Sequence, residues 1–192
     1  MRPWKRLIPA GLLGGALVLF SASAAGAQTD AAKREESERA FARIAEVLRH
    51  PRCMNCHPLG DSPRQTDDRH LHRMLVARGP DDRGTPAMRC TTCHQTVNTA
   101  DGRVPGAPHW HLAPRRMGWE GLSDGELCRV LKDPKRNGGR SIPALVQHMT
   151  SDALVQWAWN PGPRSLPPLS QHEFHEIVKG WAASGAACPS SG

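Results

Sequence analysis

Two Cys-x-x-Cys-His sequences constrain this chain more than any other feature: Cys53-Met54-Asn55-Cys56-His57 and Cys90-Thr91-Thr92-Cys93-His94. Two residues between the cysteines let both thiols reach the two vinyl groups of one haem and form thioethers. The adjacent histidine then points at the iron from the same side. His accounts for 10 of the 192 residues, so chance would place it after both cysteine pairs only about 0.3% of the time. A structural zinc site also uses paired Cys-x-x-Cys, but 33 residues separate Cys56 from Cys90, against ~15–20 in the usual ribbon. A thiol redox site explains neither histidine. The expectation is two haems, attached covalently through Cys53, Cys56, Cys90 and Cys93, with His57 and His94 as proximal iron ligands.

Thioether attachment fits an exported protein, and the N-terminus reads as an export signal. Arg2, Lys5 and Arg6 precede an apolar stretch from Leu7 to Phe20, and Ala25-Gly26-Ala27 matches a signal-peptidase site. Residues 1–27 are therefore expected to leave as a signal peptide, giving a mature chain from Gln28. The stretch is shorter than the ~20 residues of a spanning helix, and no second hydrophobic span follows. Loss of Arg2, Lys5 and Arg6 lowers the net charge from +7 to +4. That weak excess and the export signal argue against a nucleic-acid partner, and the expected location is the periplasm. In an oxidising compartment the two remaining cysteines, Cys128 and Cys188, are expected to form a disulfide, with buried free thiols as the other possibility.

The mature chain, residues 28–192, reads as short helices joined by long loops. Helical spacing of Phe41, Ile44, Val47 and Leu48 predicts a helix over 30–49, capped by Thr29 or Asp30 and stopped by His50-Pro51. A short helix is expected over 69–78. Capping boxes at Ser123-x-x-Glu126 and Ser170-x-x-Glu173 open two more, the last carrying Phe174, Ile177, Val178 and Trp181. Between them, Ser141 with Pro143 and the stretch 151–159 read as helical. No alternating β pattern of any length occurs. Long loops in so small a domain call for something else to fill its core, which two haems would do. The fold class expected is mainly α, cytochrome c-like, with a first haem region over 28–80, a second over 81–120 and a helical part over 121–192.

Each iron also takes a distal ligand, commonly His or Met, or keeps an open position. The candidates are His70, His72, Met74, His109, His111, Met117, His148, His172 and His175.

The assembled pattern resembles a family of small dihaem c-type proteins described as isoquinoline 1-oxidoreductase subunits. The likeness runs through Cys53 to Pro58 with Gly60-Asp61, His72, Arg78-Gly79, Cys90 to Gln95 and Asn98. It continues through Pro105 to Pro108, Trp110 to Pro114, Met117, Leu127-Cys128, Asn137 to Gly139 and His148. Trp157, Trp159 to Gly162 and Cys188-Pro189 complete it, so it covers nearly all of the mature chain. The resemblance implies an electron-transfer subunit beside a molybdenum hydroxylase, with a respiratory cytochrome as acceptor. The chain itself is too short for a molybdopterin site. The resemblance also favours His72 and His111 as distal ligands over His70 and His109. Their spacing agrees: His72 follows His57 by 15 residues and His111 follows His94 by 17, which pairs His72 with the first haem and His111 with the second. Met117 is the leading substitute at the second site, with Met74 and His148 behind it. The rival readings are a dihaem peroxidase-like enzyme and a haem sensor, each needing one open iron.

Overall fold

The computed structural model describes residues 17–190 of the chain. Residues 1–16 of the expected signal peptide lie outside the described residues. Its remainder runs into the first helix, α1 (Leu17–Leu48). This helix therefore starts well before the predicted cap. The Thr29 hydroxyl donates back to the Gly26 carbonyl at 2.7 Å, an intrahelical bond that occupies the side chain expected to cap. Its other end falls where predicted, because Pro51 disfavours helical backbone at His50. His50 is extended and its ring accepts from the Arg52 N–H, opening α2 (Pro51–Met54).

The apolar stripe of α1 faces the core as its spacing requires: Phe41, Ile44 and Val47 are wholly buried. They meet α3 (Asp124–Lys132) and α7 (Gln171–Ala183), and α7 in turn packs on α5 (Ile142–Ser151). Phe41 and Trp181 lie 5.5 Å apart between ring centroids. Buried Ser37 locks the same seam, donating to the Trp181 carbonyl at 3.2 Å and accepting from the Ala187 N–H at 2.8 Å. Cys128 is fully buried in this core and bonded to Cys188, so the predicted disulfide ties α3 to the segment beyond α7.

Both capping boxes form, at Ser123 with Glu126 and at Ser170 with Glu173. The predicted helix over 151–159 starts two residues later, at Ala153. Asp152 ends α5 and caps α6 (Ala153–Gln156), and a 3₁₀ turn follows over Trp157–Trp159. A further turn of helix, α4 (Pro134–Asn137), is capped by Asp133 and ends at Gly138 with φ +81°.

Residues 57–119 hold no α-helix. The helix expected over 69–78 is replaced by a hairpin, β1 (Arg64–Gln65) with β2 (His70–Leu71), and an irregular return. Left-handed backbone at Arg69 and Leu75 interrupts any helical run. Leu71 and Leu75 are exposed, so an amphipathic helix here would have no stripe to bury. A second hairpin joins β3 (Gly84–Thr85) and β4 (Met88–Arg89). Buried Arg78 holds the segment together: its guanidinium donates to Asp82 and to the carbonyls of Pro58, Gly60 and Ala113. The described residues are thus a mainly helical core with a loop-rich segment on it. No helix among them is long and apolar enough to cross a membrane.

Candidate functional site

Each Cys-x-x-Cys-His motif forms a single tight turn. The first continues from α2, with Cys56 N–H on the Cys53 carbonyl at 3.1 Å and His57 N–H on that of Met54 at 3.2 Å. The second is a 3₁₀ turn over Cys90–Thr92, with His94 N–H on the Cys90 carbonyl at 2.9 Å. One helical turn brings positions three and four apart to one side. Both cysteines and the histidine of each motif therefore share a face.

The two histidines are held alike. His57 Nδ1 donates to the Met117 carbonyl at 2.8 Å and its ring stacks on Trp119, with centroids 3.4 Å apart and planes 14° from parallel. His94 Nδ1 donates to the Pro105 carbonyl at 2.7 Å and its ring stacks on Trp110 at 4.5 Å and 6°. A carbonyl on Nδ1 selects the tautomer whose lone pair sits on Nε2, the form that ligates a metal. Burial pushes the His57 pKa down to about 3, against the pull of the Met117 carbonyl, and nearby His148, Arg78 and His111 lower it further. Burial lowers His94 as well, with the Pro105 carbonyl opposing and His72 assisting. Both imidazoles are therefore neutral and aimed, twice over in one chain.

The loop that offers Pro105 is itself tightly built. Gly106 receives the Asn98 side-chain oxygen on its N–H at 3.0 Å. A Cβ at this position would lie 2.0 Å from the Val97 carbonyl oxygen, so only glycine permits the approach. The same Asn98 oxygen accepts from the Trp157 indole at 2.8 Å, and Trp157 stands edge-on to Trp110 at 4.9 Å. Trp157 thus backs the stack on which His94 rests.

Cys56 of the first motif and Cys90, Cys93 and His94 of the second border a shared cavity of about 510 Å³, which His72 and Trp110 also line, whereas Cys53 and His57 lie off it. That volume suits a bound organic group. Cys53 leans on the helical core. Burial raises the pKa of Cys53 to about 12 and that of Cys56 to about 11, and each is raised further by a neighbouring thiol, Cys53 by Cys56 and Cys56 by Cys90. Cys56 and Cys90 border the same cavity. Thiols so raised are unlike the acidic nucleophile of a redox Cys-x-x-Cys. Among the described residues no three His, Cys, Asp or Glu side chains gather as a metal-ion cluster, so the four motif cysteines do not converge as tetrahedral zinc ligands do. Six arginines line the cavity, Arg52 and Arg164 among them. Arg52 is buried and paired with Asp67, and its Nε has no hydrogen-bond partner.

The donor set fits covalently attached haem: thiols in pairs, one imidazole per pair held at Nδ1, and a cavity reached by Cys56 and by both cysteines and the histidine of the second motif. The distal candidates distribute unevenly. His72 borders the cavity and faces His94, with ring centroids 6.2 Å apart and planes at 74°. His111 also borders the cavity, with Nδ1 on the His109 carbonyl, and both it and His148 act electrostatically on His57. His148 Nδ1 is hydrogen-bonded to Asp152 at 3.1 Å. Met117, expected near the second site, is found at the first, where its carbonyl holds His57 and its side chain is buried in the helical core. Met74 borders the cavity and is largely exposed. His175 bonds Gln156 on the α7 face, and His70 is tied to Asp68. Trp119, and the carbonyls of Met117 and Pro105, were not foreseen. A backbone carbonyl leaves no residue signature, and nothing in the sequence sets Trp119 apart from the chain's other tryptophans. Comparison of the chain with family models, curated proteins and solved structures finds no match.

Proposed function

We propose that this protein is an exported dihaem c-type cytochrome that carries electrons between larger redox proteins. The observation that carries the reading is the duplicated site: two Cys-x-x-Cys-His turns, each with its histidine fixed at Nδ1 by a carbonyl and backed by a tryptophan, with Cys56 of the first and Cys90, Cys93 and His94 of the second on one cavity. A haem bound at each motif supplies a one-electron ferric–ferrous couple. Cys53 and Cys56 attach one macrocycle, and Cys90 and Cys93 the other. His57 and His94 present Nε2 to iron, and Met117 and Pro105 keep the rings from turning. Trp119 and Trp110 cover the outer faces of those rings and exclude water. Arg52 and Arg164 bring positive charge to the cavity wall, where anionic edge groups of a macrocycle would be neutralised. Cys56 and Cys90 share one cavity wall, an arrangement that favours electron exchange between the two centres.

The proposed donor, from the family resemblance, is a molybdenum hydroxylase, and the proposed acceptor a respiratory cytochrome. His72 and His111 are proposed to fill the distal positions. The test is optical and magnetic. A carrier with both irons six-coordinate should show two low-spin haems and bind neither carbon monoxide nor cyanide at equilibrium. One high-spin haem that binds carbon monoxide would replace this reading with a peroxidase-like enzyme or a sensor.

A further inference from the structure

We infer that His72, although it follows the first motif in sequence, is the distal ligand of the haem attached at the second, Cys90 and Cys93. The inference rests on the proposed function and concerns which histidine serves which iron. A metal between two imidazoles has nitrogens about 2 Å away on either side, and each ring centre lies about 1.2 Å beyond its nitrogen, so the centroids stand about 6.4 Å apart. His72 and His94 are 6.2 Å apart, centroid to centroid. The two rings and both second-motif cysteines border the same cavity.

A plain edge-to-face contact also falls in this range, but two observations favour ligation. His94 has Nδ1 committed to Pro105, which leaves Nε2 for a metal. His72 has Nδ1 buried with no hydrogen-bond partner, whereas the rings of His57, His94, His111 and His148 are each held through Nδ1. A buried imidazole left unsatisfied costs free energy that simple packing does not return.

The assignment crosses the order expected from sequence. The segment after the first motif would close over the second haem. The second haem would then need chain from the first motif's region.

Double substitution separates the pairings by counting low-spin haems with electron paramagnetic resonance on the full, exported protein. His72→Ala alone should lower the count from two to one. Adding His94→Ala, on the same iron, should leave the count at one, and adding His57→Ala should take it to zero. The reverse pattern would assign His72 to the first haem, and two low-spin haems in His72→Ala would remove it as a ligand; either result overturns the inference. Should these variants fail to accumulate, the unaltered protein decides by nuclear magnetic resonance. The His72 ring protons should show hyperfine shifts and Overhauser contacts to the haem on Cys90 and Cys93. Contacts to the other haem, or unshifted His72 protons, would overturn the inference. A protein carrying no covalent haem refutes the proposed function itself, and mass spectrometry reveals that beforehand.

Discussion

Replacing Cys128 and Cys188 together by Ala should destabilise the protein by roughly 4 kcal/mol. The bridge links residues 60 apart, and in the chain-entropy model a closed loop of that length removes about 14 cal/mol/K from the unfolded chain, which gives the stated energy near 25 °C. For a domain of this size each kcal/mol moves the melting temperature by about 2–4 °C, so the fall should be about 8–16 °C. Cys128 is fully buried, so the Ala variant also loses some packing. Reduction and alkylation-free measurement of the wild type, which keeps every core atom, isolates the crosslink. Far-ultraviolet circular dichroism melts of the oxidised, reduced and double-Ala proteins make the comparison. Melting temperatures of all three within about 2 °C would refute the reasoning, since the loop would then be closed by packing alone.

Gly106→Ala should cost about 1–3 kcal/mol in denaturant unfolding, because its Cβ would meet the Val97 carbonyl oxygen at 2.0 Å. Gly60→Ala, with nothing within 4 Å, should stay within about 0.5 kcal/mol. Arg78→Ala should cost about 3 kcal/mol or more by the same measurement, since it strips partners from Asp82 and three carbonyls; a loss under about 1 kcal/mol would contradict its role as the tie between loops. The Ser170 hydroxyl, then its backbone N–H, hold the Glu173 carboxyl below its usual range. A depressed carboxyl stabilises the folded state above the ordinary value of about 4.3 and loses that contribution as pH falls through the depressed one. Melting temperatures of wild type and Glu173→Gln should differ at pH 7 and converge in acid, and a constant difference would exclude the carboxylate as the cause.

Much of the helical part was legible because its signals are local. Ser123 with Glu126 and Ser170 with Glu173 announce helix starts within four residues, and Phe41, Ile44, Val47 and Leu48 mark a buried stripe by spacing alone. Cys128 and Cys188 were paired by cysteine arithmetic and compartment, and the structure joins them. The N-terminal extent of α1 was misread because Thr29, a good cap by type, bonds backward inside a longer helix. The stretch 69–78 does not form the expected helix: Leu71 and Leu75 are exposed and the chain turns left-handed at Leu75.

The motif residues were plain from sequence, but their surroundings were not. Whether His72 meets His57 or His94 depends on how two irregular loops cross, and separation along the chain carries no such information. Met117 was weighed by its side chain, whereas its carbonyl faces His57. That choice is made by backbone direction, which residue type does not encode.

The most direct test of the dihaem reading is the intact mass of the exported protein, measured before and after acid–acetone extraction. The expected result is the polypeptide from Gln28 plus two haems, unchanged by extraction, with thioether-linked peptides covering Cys53 to Cys56 and Cys90 to Cys93. A bare polypeptide mass, haem that extracts into the solvent, or zinc in its place would contradict it.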